Sequence, residues 1–223
     1  MPDVDALVER LRALDTCTVS DALDALGHAG ALAGIGPLWP CGRIAGRVVT
    51  VQLGADPHSP SASTRHLGAT AISIANPGDV IVVDNDAGHG VSAGWGGLLA
   101  LAASLREVEG VVVYGACRDV DDVASVGLPM YGHTATPRTA RSRTVELSTG
   151  EPLQLENVRV ESGDLVIADR SGVVFVAAAN AEAVLAKAEE LYQKEADMSA
   201  ALRDGVVVTD VLAGNYESML KPS

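Results

Sequence analysis

The sequence predicts an α/β protein with a single domain over residues 1–223 and a largely buried sheet. Short apolar runs rich in β-branched residues recur along the chain, and segments with a helical spacing of apolar residues lie between them. Hydrophobic residues make up 48% of the chain and aromatic residues only 3%, so Val, Leu, Ile and Ala must form the core. This alternation favours a sheet covered by helices, and no low-complexity linker divides the chain.

The N-terminal part is predicted to contain two helices and a strand. Apolar residues recur at helical spacing in Asp5–Leu14, and Thr18–Gly27 is a second helical segment. Thr18 or Ser20 is the expected N-cap of the second helix, which is expected to end at its glycine. The next two elements are a glycine- and proline-rich loop at 30–42 and a β-branched strand, Ile44–Leu53.

The central part reads as a strand, a loop, a helix and a second strand. A polar loop at 56–63 and a short helix at 67–74 lead to the turn Asn76–Asp79, which opens this unit. The predicted elements that follow are the strand Val80–Val83, the glycine-rich loop Gly88–Gly97, the helix Leu98–Val108 and the strand Val111–Gly115.

The C-terminal part is predicted to repeat a turn–strand unit and to end in a long helix. Gly163-Asp164 precedes an apolar run that ends at Asp169, as Gly78-Asp79 does before Val80–Val83. The other predicted elements are a connector at 125–127, a short strand at 128–131, a turn at 136–139 and an edge strand at 153–160. A hairpin turn at 169–172 and a strand at 171–176 follow, and the last element is a helix, Ala181–Leu202, closed by Gly205.

Charge and cysteine content exclude several classes of protein. With 16 basic and 29 acidic residues the net charge is −13, which opposes nucleic-acid binding because phosphates would be repelled. No apolar signal region begins the chain, and no run of about 18 apolar residues could cross a bilayer. Cys17, Cys41 and Cys117 show no CxxC spacing, as expected of a reducing compartment. We therefore expect a soluble cytoplasmic protein.

The glycine-rich segment ends in a candidate anion site, Gly96-Gly97-Leu98-Leu99. If a helix begins near Gly97, its first N–H groups have no partner inside the helix, and the helix dipole favours an anion there. A loop that packs tightly against a strand explains the glycines equally well. The segment is neither a dinucleotide fingerprint nor a Walker loop.

A charged cluster follows the second strand of the central unit. Ligands of α/β sheets collect beyond the carboxyl ends of strands, where Arg118 would bind a carboxylate through its planar fork. Asp119 and Asp122 are three residues apart, so one helical turn would place both on one face, as a hard site for Mg²⁺ or Mn²⁺. The alternative is an Arg–Asp ion pair followed by a solvated helix terminus.

Other reactive side chains give weaker signals. His89 lies in the glycine loop, and either contact with a ligand or a plain polar role is compatible with that place. The other histidines show no i, i+4 pairing, which argues against zinc. Cys117 is expected to be buried at a strand end rather than nucleophilic, and Trp95 either walls a pocket or packs in the core.

The chain resembles the metal-dependent 4-hydroxy-4-methyl-2-oxoglutarate aldolases and the related regulator of ribonuclease activity A proteins (RraA). The motifs that carry the resemblance are Trp95-Gly96-Gly97-Leu98-Leu99, Gly115-Ala116-Cys117-Arg118-Asp119, Asp122 and Thr136-Pro137-Arg138. Well-known aldolases of this kind carry Asp at the position of Gly97, whereas a second subgroup carries Gly there and an acid at the position of Asp122, as this chain does. The change from Asp to Gly at position 97 removes a carboxylate from the outer shell of the metal, and Asp122 would replace that carboxylate.

The resemblance implies a site and an assembly. Gly96 to Leu99 and Arg118 would bind a small 2-oxo acid substrate, Asp119 and Asp122 would hold Mg²⁺ or Mn²⁺, and Glu195 would reach the site of a neighbouring subunit. Glu189 and Glu190 lie earlier on the same helix and are alternatives for that last role. The implied fold is an α/β/β sandwich of the swivelling type, as found in phosphohistidine domains, and the implied assembly is a homotrimer or homohexamer.

The implied activity is a carbon–carbon lyase. We expect cleavage of 4-hydroxy-2-oxo acids to pyruvate, with Arg118 stabilising the enolate and a metal supplying further positive charge. Oxaloacetate decarboxylation passes through the same enolate and is an expected side activity. The alternative is a non-catalytic RraA-type protein that binds and inhibits a ribonuclease.

Overall fold

The computed structural model describes residues 4–55, 66–86 and 92–212, which form seven α-helices and twelve strands. The helices are α1 (Val4–Arg12), α2 (Thr16–Ala25), α3 (Ala69–Ile74), α4 (Gly97–Ser104), α5 (Val120–Val126), α6 (Ala181–Arg203) and α7 (Val208–Leu212). The strands are β1 (Ala31–Leu32), β2 (Gly36–Pro37), β3 (Ile44–Gly54), β4 (Val80–Asp84), β5 (Ala93–Trp95), β6 (Gly110–Cys117), β7 (Met130–Ala135), β8 (Val145–Thr149), β9 (Leu153–Leu155), β10 (Val158–Val160), β11 (Leu165–Ala168) and β12 (Val173–Val176).

Ten strands form one curled sheet with a parallel centre. Strands β3, β4, β6 and β7 run parallel in that order, and β5 pairs in parallel with the end of β6. The long strand β3 pairs through its first half with β11, which pairs with β12, and through its second half with β8, all antiparallel. Since α4 and α5 connect β4 to β6 and β6 to β7, both helices begin at the carboxyl edge of the parallel strands. The mixed α/β class predicted from the sequence is confirmed.

Three apolar clusters fill the spaces around this sheet. One lies between the parallel strands and helices α3 to α5, with Trp95 as its largest buried member. A second joins α1, α2 and α6 to β11 and β12. The third lies inside the curl, where the two-stranded sheet of β9 and β10 packs against the other strands. In the described part of the chain, no helix is both long and apolar enough to span a bilayer.

The recurring turn–strand unit is confirmed in detail. Gly78 and Gly163 have φ angles of 82° and 98°, which glycine adopts at little cost. The buried Asp79 accepts a hydrogen bond from the Asn76 N–H, and Asp164 accepts one from the Glu161 N–H, both at 2.8 Å. Each carboxylate therefore closes its own turn before a buried strand.

Some predicted boundaries were wrong, for local reasons. The N-cap of α2 is Asp15, which accepts the Thr18 N–H at 2.9 Å, and neither Thr18 nor Ser20. Helix α4 ends at Ser104 and not at residue 108, because Glu107 adopts φ 58° and the next N–H returns to the Ala103 carbonyl. This closes the helix as a terminal glycine usually does.

Other elements were predicted in a different form or not predicted at all. The expected edge strand 153–160 is the hairpin of β9 and β10, because Glu156 at φ 51° turns the chain. Strands β1 and β2 lie in the predicted loop 30–42, β5 lies in the glycine-rich segment, and β8 and α7 had no counterpart. These strands have few residues or lack apolar alternation, so their pairing depends on neighbours distant in sequence. The predicted loop 56–63 lies outside the described residues. Two predictions agree with the structure: the hairpin of β11 and β12, and the end of α6 before Gly205.

Candidate functional site

The candidate site lies where β5 and β6 end side by side. The Arg118 N–H donates to the Trp95 carbonyl at 3.0 Å, which keeps the two chains in register just past the sheet. Gly96 then caps α4 and Asp119 caps α5. Two helix N-termini, each with a partial positive charge, thus converge on one point at the carboxyl edge of the parallel strands.

One carboxylate joins the predicted parts of the site. The Asp119 Oδ2 atom accepts the Gly97 N–H at 3.1 Å and the Arg118 Nε–H at 3.0 Å. The amide that we predicted to bind an anion therefore binds the carboxylate of Asp119 in this structure. The N–H groups of Leu98 and Leu99 follow in the first turn of α4, where a helix offers them no acceptor.

Asp119 adopts an unusual backbone conformation. Its φ and ψ angles are 55° and 40°, in the left-handed region, where aspartate is found more often than most non-glycine residues. This conformation turns the chain from β6 into α5 at the point where its carboxylate meets Gly97. Strain of this kind clusters at functional sites.

The two glycines are required by close packing. A Cβ added at Gly96 would lie 2.8 Å from the Asp119 Oδ2 atom and 3.0 Å from the Arg118 Cγ atom. A Cβ at Gly97 would lie 3.1 Å from the Asp122 Cβ atom and 3.4 Å from that of Asp119. The tight packing that was one of the two interpretations of the glycines is therefore present, and binding of a ligand anion there stays a prediction.

We expect Gly96→Ala to lower the activity of the site by at least about tenfold, because the added methyl group displaces the Asp119 carboxylate from its two donors. The overall stability should fall only by about 1–3 kcal/mol, as for other overpacking substitutions. Steady-state kinetics together with urea denaturation would measure the two effects. Gly36→Ala is a matched control, since no atom lies within 4 Å of a Cβ placed there; equal effects of the two substitutions would contradict this explanation.

Two carboxylates are available for a metal ion. The Cβ atoms of Asp119 and Asp122 lie 3.4 Å and 3.1 Å from the Cβ position of Gly97, so both residues are close neighbours of that glycine. In the described ranges, no group of three or more His, Cys, Asp or Glu side chains could hold a metal ion. Two carboxylates suit Mg²⁺, which keeps several waters and binds through one or two protein carboxylates, and do not suit Zn²⁺, which takes three or four protein ligands.

A cavity of about 350 Å³ opens beside this cluster. Its size is at the small end of the range for sites of small molecules. Five of the predicted site residues line it, namely Gly96, Leu98, Leu99, Arg118 and Asp119, whereas Gly97 and Asp122 do not. The polar lining residues that the sequence did not indicate are His66, Thr139, Arg141, Thr144 and Glu146.

Glu146 is the least expected member of this lining. It is 4% exposed, and its two oxygens accept the Gly68 N–H at 2.6 Å and the Thr149 hydroxyl at 2.8 Å. Strand β8 has no clear apolar pattern, so nothing in the sequence indicated a buried carboxylate there. Glu146 joins the segment before α3 to the edge of the sheet.

The structure also shows where two of the weaker candidates, Trp95 and Cys117, lie. Trp95 is buried at 1% exposure and also lines the cavity. Cys117 is buried as predicted, and burial raises the pKa of its thiol, which disfavours the thiolate that a nucleophilic role requires. His89 lies outside the described residues.

The three candidate glutamates of α6 lie away from the cavity of their own protomer. Glu189 is paired with Arg10, and Glu190 with Lys187 and Lys194. Glu195 has no ion pair in the described chain, and burial together with the charges of Asp15 and Asp21 raises the pKa of its carboxyl group. Glu195 is thus the glutamate that is not already engaged by a cation.

The fold and the site together define a class: a mixed α/β protein with a small cavity beside a carboxylate–guanidinium cluster. Residues 16–175 match the RraA-like family, described as Aldolase/RraA. The chain therefore belongs to the RraA-like family, and the resemblance noted in its sequence is confirmed.

Individual relatives agree with this assignment. The chain is 31% identical over 163 residues to a Burkholderia mallei protein named "Putative 4-hydroxy-4-methyl-2-oxoglutarate aldolase", covering 71% of this chain and 93% of that protein. It is 31% identical over 170 residues to protein DlpA of Legionella pneumophila, covering 76% of this chain. It spans only 27% of DlpA, and 58% of an uncharacterized protein of Methanocaldococcus jannaschii that is 28% identical.

Solved structures share the fold. An uncharacterized protein of Pseudomonas syringae superposes with a TM-score of 0.83 at 28% identity, covering 95% of this chain and 98% of that one. RraAS2 of Streptomyces coelicolor, described as an unusual member of the RNase ES inhibitor RraA protein family, superposes with a TM-score of 0.76 at 26% identity, covering 87% and 95%.

Proposed function

We propose that this protein is a divalent-metal-dependent aldolase that cleaves 4-hydroxy-2-oxo acids, such as 4-hydroxy-4-methyl-2-oxoglutarate, to pyruvate. The observation that carries the proposal is the Asp119 carboxylate, which joins the Gly97 amide and the Arg118 guanidinium at the wall of a small cavity. Relatives at about 30% identity that are named as aldolases support it.

The chain's own residues divide the work between binding and charge stabilisation. Arg118 uses only its Nε–H within the described structure, so its terminal nitrogens are available to the 2-oxo acid. The N–H groups of Leu98 and Leu99, at the positive end of α4, would hold the substrate carboxylate. The buried Trp95 supplies an apolar part of the cavity lining.

The reaction requires stabilisation of an enolate. A water molecule takes the proton of the C4 hydroxyl group, the C3–C4 bond breaks, and its electrons form the enolate of pyruvate while C4 becomes a carbonyl carbon. The enolate then takes a proton from solvent at C3 and becomes pyruvate. Arg118 stabilises the negative enolate oxygen, an effect worth on the order of several kcal/mol. Asp119 and Asp122 would hold Mg²⁺ or Mn²⁺, which supplies Lewis-acid charge when bound. Oxaloacetate decarboxylation needs the same enolate, so it is proposed as a side activity.

The assembly belongs to the same proposal. We place this chain in a homotrimer or homohexamer of subunits with the swivelling α/β/β arrangement, in which Glu195 reaches the cavity of a neighbour. Support comes from Glu189 and Glu190, whose carboxylates are already paired with cations of their own chain. Glu195 alone of the three carries an unpaired carboxylate within the described residues.

A screen of 4-hydroxy-2-oxo acids and oxaloacetate for pyruvate formation, with Mg²⁺ and with excess chelator, tests the activity. Pyruvate should form with Mg²⁺ and fall to background with chelator, and it should return when Mg²⁺ is restored. Pyruvate formation that is insensitive to chelator would disprove the metal-dependent mechanism.

The second candidate is a non-catalytic protein that binds and inhibits a ribonuclease. The likeness to RraAS2, whose description names an RNase ES inhibitor family, favours it. Asp122 discriminates between the two, because a pure regulator has no need of a second carboxylate beside Gly97. Calorimetric titration with Mg²⁺ should show binding that Asp122→Ala weakens if the protein is a lyase, whereas absence of Mg²⁺ binding would favour the regulator.

A further inference from the structure

Two arginines from different parts of the chain line the cavity. Arg118 follows β6, whereas Arg141 lies in the segment between β7 and β8, here called the 136–144 segment. The whole chain carries a net charge of −13, so its average field repels an anionic ligand. Two positively charged guanidinium groups at one small cavity are therefore the opposite of what the negative net charge of the chain would give on average, and they indicate an anionic ligand.

The 136–144 segment is fixed to the strands that carry the site. The Thr136 N–H donates to the Cys117 carbonyl at 2.8 Å, one residue before Arg118. The Ala93 N–H donates to the Arg138 carbonyl at 3.0 Å, and the Thr144 hydroxyl bonds to Ser92. These bonds hold the backbone of the segment, and with it that of Arg141, close to the carboxyl ends of β5 and β6, and Arg141 lines the same cavity as Arg118.

Arg141 differs from the other arginines of its segment. Its own N–H donates to the Thr139 hydroxyl at 3.2 Å, which orients its backbone, yet its guanidinium has no hydrogen bond or ion pair within residues 4–55, 66–86 and 92–212. Arg143 instead donates its Nη1–H to the Thr139 carbonyl at 3.3 Å. Of Arg138, Arg141 and Arg143, only Arg141 lines the cavity.

We propose that Arg141 determines substrate specificity by binding the second, distal carboxylate of a dicarboxylic 2-oxo acid. The inference rests on the proposed function, in which Arg118 and the amides of α4 hold the 2-oxo acid end of the substrate. A planar guanidinium that has no partner within the described residues suits a carboxylate in two-point contact. The preferred substrates are therefore dicarboxylic, and monocarboxylic 4-hydroxy-2-oxo acids leave Arg141 without a partner.

Binding of unreactive acids tests the proposal without catalysis. Titration of the full chain with 2-oxoglutarate and with 2-oxobutyrate, each with Mg²⁺, should show tighter binding of the dicarboxylate. Arg141→Ala should weaken 2-oxoglutarate binding by about 10–100-fold and change 2-oxobutyrate binding by less than about twofold. Arg141→Lys should recover part of the loss, and Arg143→Ala, which removes a charge from the same segment outside the cavity, should bind as the wild type does.

The outcomes separate this proposal from the lyase proposal. Equal loss for both acids in Arg141→Ala, no loss for either, or no binding of either acid to the wild type would overturn the role of Arg141. Selective binding that depends on Arg141 in a protein that forms no pyruvate would uphold that role and refute only the lyase. Where pyruvate does form, the kcat/KM for 4-hydroxy-4-methyl-2-oxoglutarate should fall in Arg141→Ala by the same factor, with that for 4-hydroxy-2-oxopentanoate nearly unchanged.

Discussion

Replacing Arg118 with alanine is expected to lower pyruvate formation by about a thousandfold while leaving the protein almost as stable as before. The guanidinium is 38% exposed, and its only ion pair within the described residues is with Asp119, 32% exposed, at 3.0 Å. An exposed pair of this kind contributes about 0–1 kcal/mol to folding. A guanidinium aimed at the developing enolate contributes several kcal/mol to the transition state alone, so activity and stability should separate.

Arg159→Ala is the matched control. Arg159 forms an ion pair with Glu161 at 2.7 Å, also at the surface and between near neighbours in sequence, but it is not among the residues that line the cavity. Both variants should unfold within about 2 °C of the wild type, and only Arg118→Ala should lose activity. An active Arg118→Ala variant would remove the central residue of the proposed mechanism, and an inactive variant that is also unfolded would show that Arg118 acts through the fold.

The fold was predictable where local pattern and tertiary environment agree. Strands β3, β4 and β6 are apolar runs buried on both faces, and α6 has a clear helical spacing. The turns at Gly78 and Gly163 were predictable because each needs a glycine at a positive φ and an aspartate next to it, and this Gly-Asp pair before an apolar run is visible in the sequence. By contrast, β8 and the hairpin of β9 and β10 depend on pairing and on left-handed residues such as Glu156, for which the sequence carries no strong signal.

Only those site residues that lie close to predicted strand ends could be identified from the sequence. Gly96, Gly97, Arg118 and Asp119 lie near strand ends, where sequence reasoning expects ligands, and the structure brings them into contact. Arg141 lies in a segment without apolar periodicity that bonds to Cys117, Ala93 and Ser92, and Glu146 lies on β8, which reaches the cavity through its pairing with β3. Such long-range contacts have no signature in a single sequence.

Asp119→Asn is expected to lower activity by about a hundredfold or more and Mg²⁺ affinity by at least about tenfold, with little change in stability. The two hydrogen bonds that Asp119 accepts, from Gly97 and from Arg118, both end on one oxygen. The amide oxygen of asparagine can accept both, and asparagine also tolerates a φ of 55°. The variant therefore preserves the geometry and removes the charge. Asp121→Asn is the control, since it removes an equal charge from the same first turn of α5 and should bind Mg²⁺ as the wild type does.

Comparison of Asp119→Ala with Asp119→Asn separates the effect of the Asp119 charge from the effect of its hydrogen bonds and backbone conformation. Alanine offers the Gly97 N–H no acceptor and is less tolerant of the left-handed conformation, at a cost of about 1–2 kcal/mol. A melting temperature lower by about 3–8 °C should therefore accompany the loss of Mg²⁺ binding in Asp119→Ala, whereas Asp119→Asn should lose Mg²⁺ binding alone. Calorimetry of unfolding and of Mg²⁺ titration measures both. Wild-type Mg²⁺ affinity in Asp119→Asn would mean that the carboxylate serves only to hold Gly97 and Arg118 together, because its charge would then do nothing that a neutral oxygen cannot do.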